Sequence, residues 1–184
     1  PAAPVFDVTP SVVGNGFLSP MGVQQVQQGQ TAFFTITPAS GHSVMVGGTC
    51  GGTLNGTNYT TNAITANCTV IATFTPITYA VTPSAGANGT ISPNTVQNIN
   101  QGATTTFTVT PNSGFSASVG GSCGGMLAGN TYTTNAITAA CTVSASFALL
   151  PPDSPSMVTA IAGDTLIAVS FTAPAINTAA ITNY

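Results

Sequence analysis

Hydrophobic and polar residues alternate along most of the chain with the two-residue period of β strands. Residues 104–111 show it best, with Phe107 and Val109 on one face and threonines on the other. Residues 31–38 carry the equivalent strand earlier in the chain. No stretch has a convincing 3.6-residue period, and turn residues separate the short alternating runs. The pattern predicts an all-β fold with many short strands.

The alternating pattern occurs twice in the chain. Residues 6–74 align without a gap to residues 79–147, at an offset of 73, and each copy contains a Gly-Gly-x-Cys-Gly-Gly loop. The sequence therefore predicts two tandem modules, at 6–76 and 77–150. Such small modules bury a modest core and often need covalent support.

The two ends of the chain differ from the repeat. Residues 1–5 are rich in Pro and Ala and predict an extended arm, which looks like a processed mature end or the start of a fragment. A Pro-rich boundary opens a tail at 151–184. Within the tail, 156–161 and 165–171 are predicted strands around a turn, and 181–184 begins another.

The four cysteines are predicted to form disulfides, Cys50 with Cys68 and Cys123 with Cys141. Each pair is 18 positions apart, and closing a loop of that size contributes roughly 3 kcal/mol in the chain-entropy model. Cross-linking between modules or subunits is the remaining alternative. A zinc site is disfavoured because the chain has one His and no Cys-x-x-Cys pair.

Charge is almost absent, and this excludes several functions. The chain has no Lys or Arg, and its acids are Asp7, Asp153 and Asp164. Without cations it cannot neutralise phosphates, so nucleic-acid binding is excluded, as is a polybasic membrane-surface mode. No apolar run approaches the roughly 20 residues that span a bilayer, so we expect no membrane insertion. Paired cysteines favour an oxidising, extracellular compartment. Uncharged strand edges favour association.

No set of residues predicts catalysis, a metal site or a cofactor. His42 aligns with Phe115, which indicates packing beside a turn, and Asp7 aligns with Ala80, so the module does not require it. No acidic pair or Asp-x-Asp loop supports glycosidase chemistry or calcium binding. Tyr59 and Tyr132 are candidates for stacking on sugars and equally for the core. The ligand-binding residues remain unknown.

The repeated unit resembles the divergent internalin-type B-repeat. The resemblance rests on Thr-Pro, Asn-Gly-Thr-Ile-Ser-Pro and Gly-Ala-Thr motifs, at 82–83, 88–93 and 102–104, and on the Cys-Thr-Val at 141–143. It implies a small β-rich spacer, stalk or adhesive module of bacterial surface and secreted proteins. It brings no catalytic residues.

The tail resembles the opening of a fibronectin type III domain, through 162–165, 169–174 and 181–184. It lacks the tryptophan typical of that family, and 34 residues are too few to close an immunoglobulin-like sandwich. We therefore expect an incomplete strand segment that pairs with another module or subunit.

These expectations favour a non-enzymatic, secreted structural protein that builds a bacterial surface fibre from copies of itself. The arm or the tail would add strands to a neighbour's sheet. The alternative is a stalk or spacer fragment of a larger surface adhesin. Glycan binding through exposed Tyr and Asn/Thr loops is a third interpretation.

Overall fold

The computed structural model describes residues 2–151, 154, 156–162 and 164–172, and over these residues the chain forms eighteen β strands and no helix. The predicted all-β class is confirmed. The chain divides into two compact units, one comprising 2–78 with 100–102, the other 79–99 with the described residues from 103 onward. We call strands β1–β8 module 1 and strands β9–β16 module 2.

Module 1 contains two four-stranded sheets. Its strands are β1 (Val5–Val13), β2 (Gly16–Ser19), β3 (Gln24–Gln27), β4 (Phe33–Pro38), β5 (His42–Gly47), β6 (Gly52–Asn55), β7 (Asn58–Thr61) and β8 (Cys68–Pro76). One sheet has the order β3-β1-β8-β5 and the other the order β2-β4-β7-β6. All pairings are antiparallel except β1 with β8, which is parallel.

The two sheets of module 1 pack face to face, because inward residues from both contribute to one buried cluster. That cluster consists of Val8, Leu18, Ala32, Phe34, Ile36, Cys50, Tyr59, Ile64, Val70, Ala72 and Phe74. The alternation that the sequence shows in β4 and β8 is therefore the alternation between core and solvent.

Module 2 repeats this architecture. Its strands are β9 (Thr78–Ala85), β10 (Gly89–Ser92), β11 (Gln97–Asn100), β12 (Thr106–Pro111), β13 (Phe115–Gly120), β14 (Gly125–Ala128), β15 (Thr131–Thr134) and β16 (Cys141–Leu149). The sheets have the orders β11-β9-β16-β13 and β10-β12-β15-β14, and β9 again pairs in parallel with β16. Phe107 and Val109 are buried, as predicted.

The structure changes the interpretation of the predicted N-terminal arm. β1 begins at Val5, and its residues 5–8 pair with β3 while residues 8–13 pair with β8. The end of the arm therefore belongs to an interior strand of the first sheet.

The described part of the tail forms a hairpin of β17 (Ser156–Ala162) and β18 (Ile167–Thr172). These positions agree with the two strands predicted there. The hairpin is a separate two-stranded sheet, and every residue of both strands is exposed. The predicted strand at 181–184 lies outside the described residues, and the resemblance to a fibronectin type III domain stays a prediction.

Candidate functional site

The cysteines form one disulfide within each module, Cys50–Cys68 and Cys123–Cys141, each with a Cα–Cα distance of 5.0 Å. Each bond ties the glycine-rich loop to the first residue of the module's last strand. In module 1 the backbone N–H of Thr69 donates to Oγ1 of Thr49 at 3.0 Å, which holds the same two segments together. Ser122 and Thr142 repeat this bond at 3.0 Å in module 2.

The glycines of these loops allow close contact between backbone segments. Gly48 and Gly52 have φ of +110° and +141°, and a Cβ there would lie 2.2 and 2.3 Å from the carbonyl oxygens of Thr69 and Thr60. Only glycine fits such positions without movement of the backbone. The loops are therefore structural corners packed on their own module.

Tyr59 and Tyr132 belong to the core, at 4% and 2% exposed. Burial raises the pKa of both phenols. The hydroxyl of Tyr59 donates to the carbonyl oxygen of Gly51 at 2.7 Å, so it braces the glycine-rich loop. The suggestion that these two tyrosines stack on sugars is wrong, because their rings are not accessible.

The ionisable residues singled out in the sequence belong to different elements of the chain. His42 is half-buried at the start of β5, with Nδ1 3.0 Å from the carbonyl oxygen of Ser40 beside the predicted turn. Asp7 is in β1, where its backbone N–H donates to Oδ1 of Asn67 at 2.9 Å. Asp164 is exposed, and Asp153 lies outside the described residues. Among the residues that the structure describes, no group of three or more His, Cys, Asp or Glu could hold a metal ion.

A shallow depression lies beside each disulfide, with a volume of about 230 Å³ in module 1 and about 290 Å³ in module 2. The first is lined by residues 49, 50 and 63–68, the second by residues 122, 123 and 136–141. Apart from the bonded cysteines, neither lining contains an ionisable side chain. Both offer only hydrogen bonding and apolar contact.

The outer face of the β2-β4-β7-β6 sheet carries two exposed aromatic rings, Phe17 and Phe33, at 76% and 69% exposed. At the offset of 73, the matching positions in module 2 are Thr90 and Thr106, also on exposed strand positions. We name the module 1 surface the phenylalanine face: Phe17, Ser19, Phe33, Thr35, Asn55 and Asn58. The sequence analysis does not predict this face. The signal for it is that the two copies, aligned at the offset of 73, have an aromatic residue in module 1 where module 2 has Thr.

The hairpin β17–β18 is a second apolar surface. It exposes the large side chains Met157, Val158, Ile161, Ile167, Val169 and Phe171. Two-stranded hairpins alone are marginally stable in water.

Among the residues described, there is no helix long and apolar enough to cross a membrane.

Residues 79–151 match the family model of the divergent InlB B-repeat domain. This confirms the predicted B-repeat resemblance on the second module, and the first repeats its pattern at the offset of 73. Such repeats come from surface and secreted bacterial proteins. No curated protein and no solved structure matches the chain.

Proposed function

Taking the divergent InlB B-repeat domain at residues 79–151 as the premise, we propose that this chain is a non-enzymatic, extracellular building block of a bacterial surface fibre. Subunits join when the β17–β18 hairpin of one copy adds to a sheet edge of the next. The observation that carries the proposal is the hairpin itself, apolar, exposed along both strands and separate from the four-stranded sheets.

Strand β18 has the pattern that a donated strand requires. Ile167 and Val169 are 68% and 58% exposed and alternate with Ala168 and Ser170. Added to a sheet edge, the strand would gain main-chain hydrogen bonds and bury its apolar side chains against the neighbour. Fully burying one such side chain contributes about 1.5–3 kcal/mol.

The acceptor edges that fit best are β5 and β13. Each is the outermost strand of its sheet and is six residues long, as β18 is, whereas the other edge strands of the four-stranded sheets have four residues. Both alternate half-buried and exposed positions. Charged residues normally protect such edges from joining, and neither strand carries Lys, Arg, Asp or Glu.

The N-terminal arm is the weaker donor. Its strand β1 is already flanked by β3 and β8 within its own sheet. Donating it to a neighbour would break both pairings and remove Val8 from the core. The tail offers its strands without such a cost.

Deletion of residues 153–184 tests the proposal. We expect the truncated chain to keep its circular dichroism and melting temperature, because the hairpin is a separate sheet whose strand residues are all exposed, and to lose fibres in negative-stain electron microscopy. Val169→Asp places a charge on the apolar side of β18 and should also prevent assembly. Ala168→Asp, on the other side of the strand, is the matched control and should assemble. Unchanged fibres after the deletion would refute donation by the tail.

The second candidate function is a spacer in the stalk of a larger adhesin. It is favoured by the connection between modules, since β8 ends at Pro76 and β9 begins at Thr78. Only Ile77 separates them, which is typical of tandem arrays. A chain that stays dispersed at high concentration with both modules folded would support the spacer over the fibre subunit.

A further inference from the structure

We propose that the phenylalanine face of module 1 binds an uncharged polysaccharide. This inference does not depend on fibre formation. It rests on the chemistry of the side chains that face outward from β2, β4, β6 and β7, and on the contrast with the same surface of module 2.

The two rings flank a row of polar groups. In register across the sheet, Ser19 lies opposite Thr35, Thr35 opposite Asn58, and Asn58 opposite Asn55. Phe33 lies two residues from Thr35 on one side of this row. Phe17 lies on the other side, opposite Thr37. The face therefore alternates ring, polar row and ring.

The polar row is available for a ligand. Its four residues are exposed, and none of their side chains hydrogen bonds to another described residue. Two hydroxyls and two amides offer both donors and acceptors, and no charge. Sugar hydroxyls require this mixture, whereas an acidic or basic ligand would find no counter-charge on the face.

The rings supply the apolar half of sugar recognition. A pyranose presents one face of C–H groups, which packs against an aromatic ring while its hydroxyls reach polar neighbours. A depression of about 300 Å³ adjoins Phe33 and is lined also by Ser19, Pro20, Phe34, Thr35, Asn58 and Tyr59. It is at the lower end of the size range of small-molecule sites.

The separation of the rings favours a chain of sugars over a single one. Phe17 pairs with Thr37 on the neighbouring strand, and Thr37 is four residues from Phe33 along β4. With ordinary strand geometry, the Cα atoms of Phe17 and Phe33 are therefore about 14 Å apart. That distance exceeds one sugar ring. An extended oligosaccharide would contact both rings and the polar row between them.

Module 2 shows that the fold does not need this face. There Thr90 and Thr106 replace the rings, and Ala128 and Thr131 replace the amides. The strands and their register are nevertheless the same. Exposed phenylalanines are therefore not a structural requirement at these positions, and their grouping around unengaged polar groups indicates binding.

The test is titration of the full chain with cellohexaose and chitohexaose, followed by NMR amide shifts. We expect binding of one of them, with shifts centred on β2, β4 and β7. Phe33→Thr and Phe17→Thr introduce the residues that module 2 tolerates and should each weaken binding at least tenfold with an unchanged melting temperature. Asn58→Thr should weaken it in the same assay.

The matched control is Thr110→Ser on the corresponding sheet of module 2, which should leave the affinity unchanged. Absence of binding to both oligosaccharides by the folded chain would overturn the proposal. So would affinity that survives the Phe33→Thr and Phe17→Thr double variant. Loss of self-association in that double variant, without sugar binding by the unaltered chain, would assign the face to subunit contact and also overturn it.

Discussion

Modules 1 and 2 share their interior and differ at exposed positions, among them the two rings of the phenylalanine face. The buried residues of module 2 lie at the offset of 73 from those of module 1, including the cysteines, the buried tyrosine and the buried threonine. On the outer face, Phe17 and Phe33 of module 1 correspond to Thr90 and Thr106. What the copies share is what the fold requires, so the exposed differences are the places at which an interaction of one module alone is to be sought.

The largest expected effect comes from the glycine corners. Gly52→Ala and Gly125→Ala should each destabilise their module by about 3 kcal/mol or more, because a Cβ would lie 2.3 and 2.2 Å from a carbonyl oxygen at a φ near +140°. Urea unfolding followed by NMR amide peaks of each module measures both. Gly56→Ala, with φ +61° and open space around it, is the control and should cost only about 1 kcal/mol. Equal losses of stability in Gly52→Ala and Gly56→Ala would show that the close approach of the backbone at Gly52 contributes nothing to the effect.

The disulfides come next. Replacing Cys50 and Cys68 together with Ala should cost module 1 about 3 kcal/mol, and the equivalent change of Cys123 and Cys141 should cost module 2 a similar amount, because both loops have the same length. The same unfolding assay applies. If one module unfolds without its disulfide and the other is unaffected, the two interiors are not equivalent.

The repeat, the strand alternation and the glycine corners could be predicted from the sequence because they depend on local pattern. The parallel pairing of β1 with β8 could not, since it joins segments 60 residues apart in the chain, as at Val8 and Cys68. β6 gives no strand signal in the sequence, because all four of its residues are exposed and do not alternate between core and solvent. The phenylalanine face was missed because aromatic residues in strands are expected in the core.

The buried threonines should show a smaller, unequal effect. The hydroxyl of Thr61 accepts the Ala32 N–H at 2.8 Å in the core, and that of Thr134 accepts the Thr105 N–H at 3.0 Å in a less buried position. Thr61→Val leaves the buried N–H of Ala32 without its partner and should lower the free energy of unfolding of module 1 by about 2 kcal/mol. Thr134→Val should lower that of module 2 by about 1 kcal/mol. Thr61→Ser keeps the hydroxyl and is the control. A larger loss in module 2 would reverse the inferred difference in burial.

The smallest expected effect is a loss of stability at alkaline pH. Burial raises the pKa of Tyr59 and Tyr132 in the folded state above the ordinary value of 10.0. The unfolded chain therefore ionises first, so stability is intact below about pH 10 and falls as pH rises from there through the folded-state pKa. Urea midpoints across that window should fall for both modules. In the Tyr59→Phe variant, the urea midpoint of module 1 should depend less on pH in this window, while the pH dependence of module 2 should stay the same. If the substitution leaves the pH dependence of the module 1 midpoint unchanged, the loss of stability at alkaline pH is due to other groups.

Hydrogen–deuterium exchange of assembled against dispersed protein tests the central claim, donation of the tail hairpin, most directly. Strand addition predicts that assembly slows exchange of the β18 amides, residues 167–172, and of β5 or β13, while the interior strands β1 and β8 stay unchanged. Fibres in which β18 exchanges as fast as in the dispersed chain would contradict the account, as would failure of the unaltered chain to assemble.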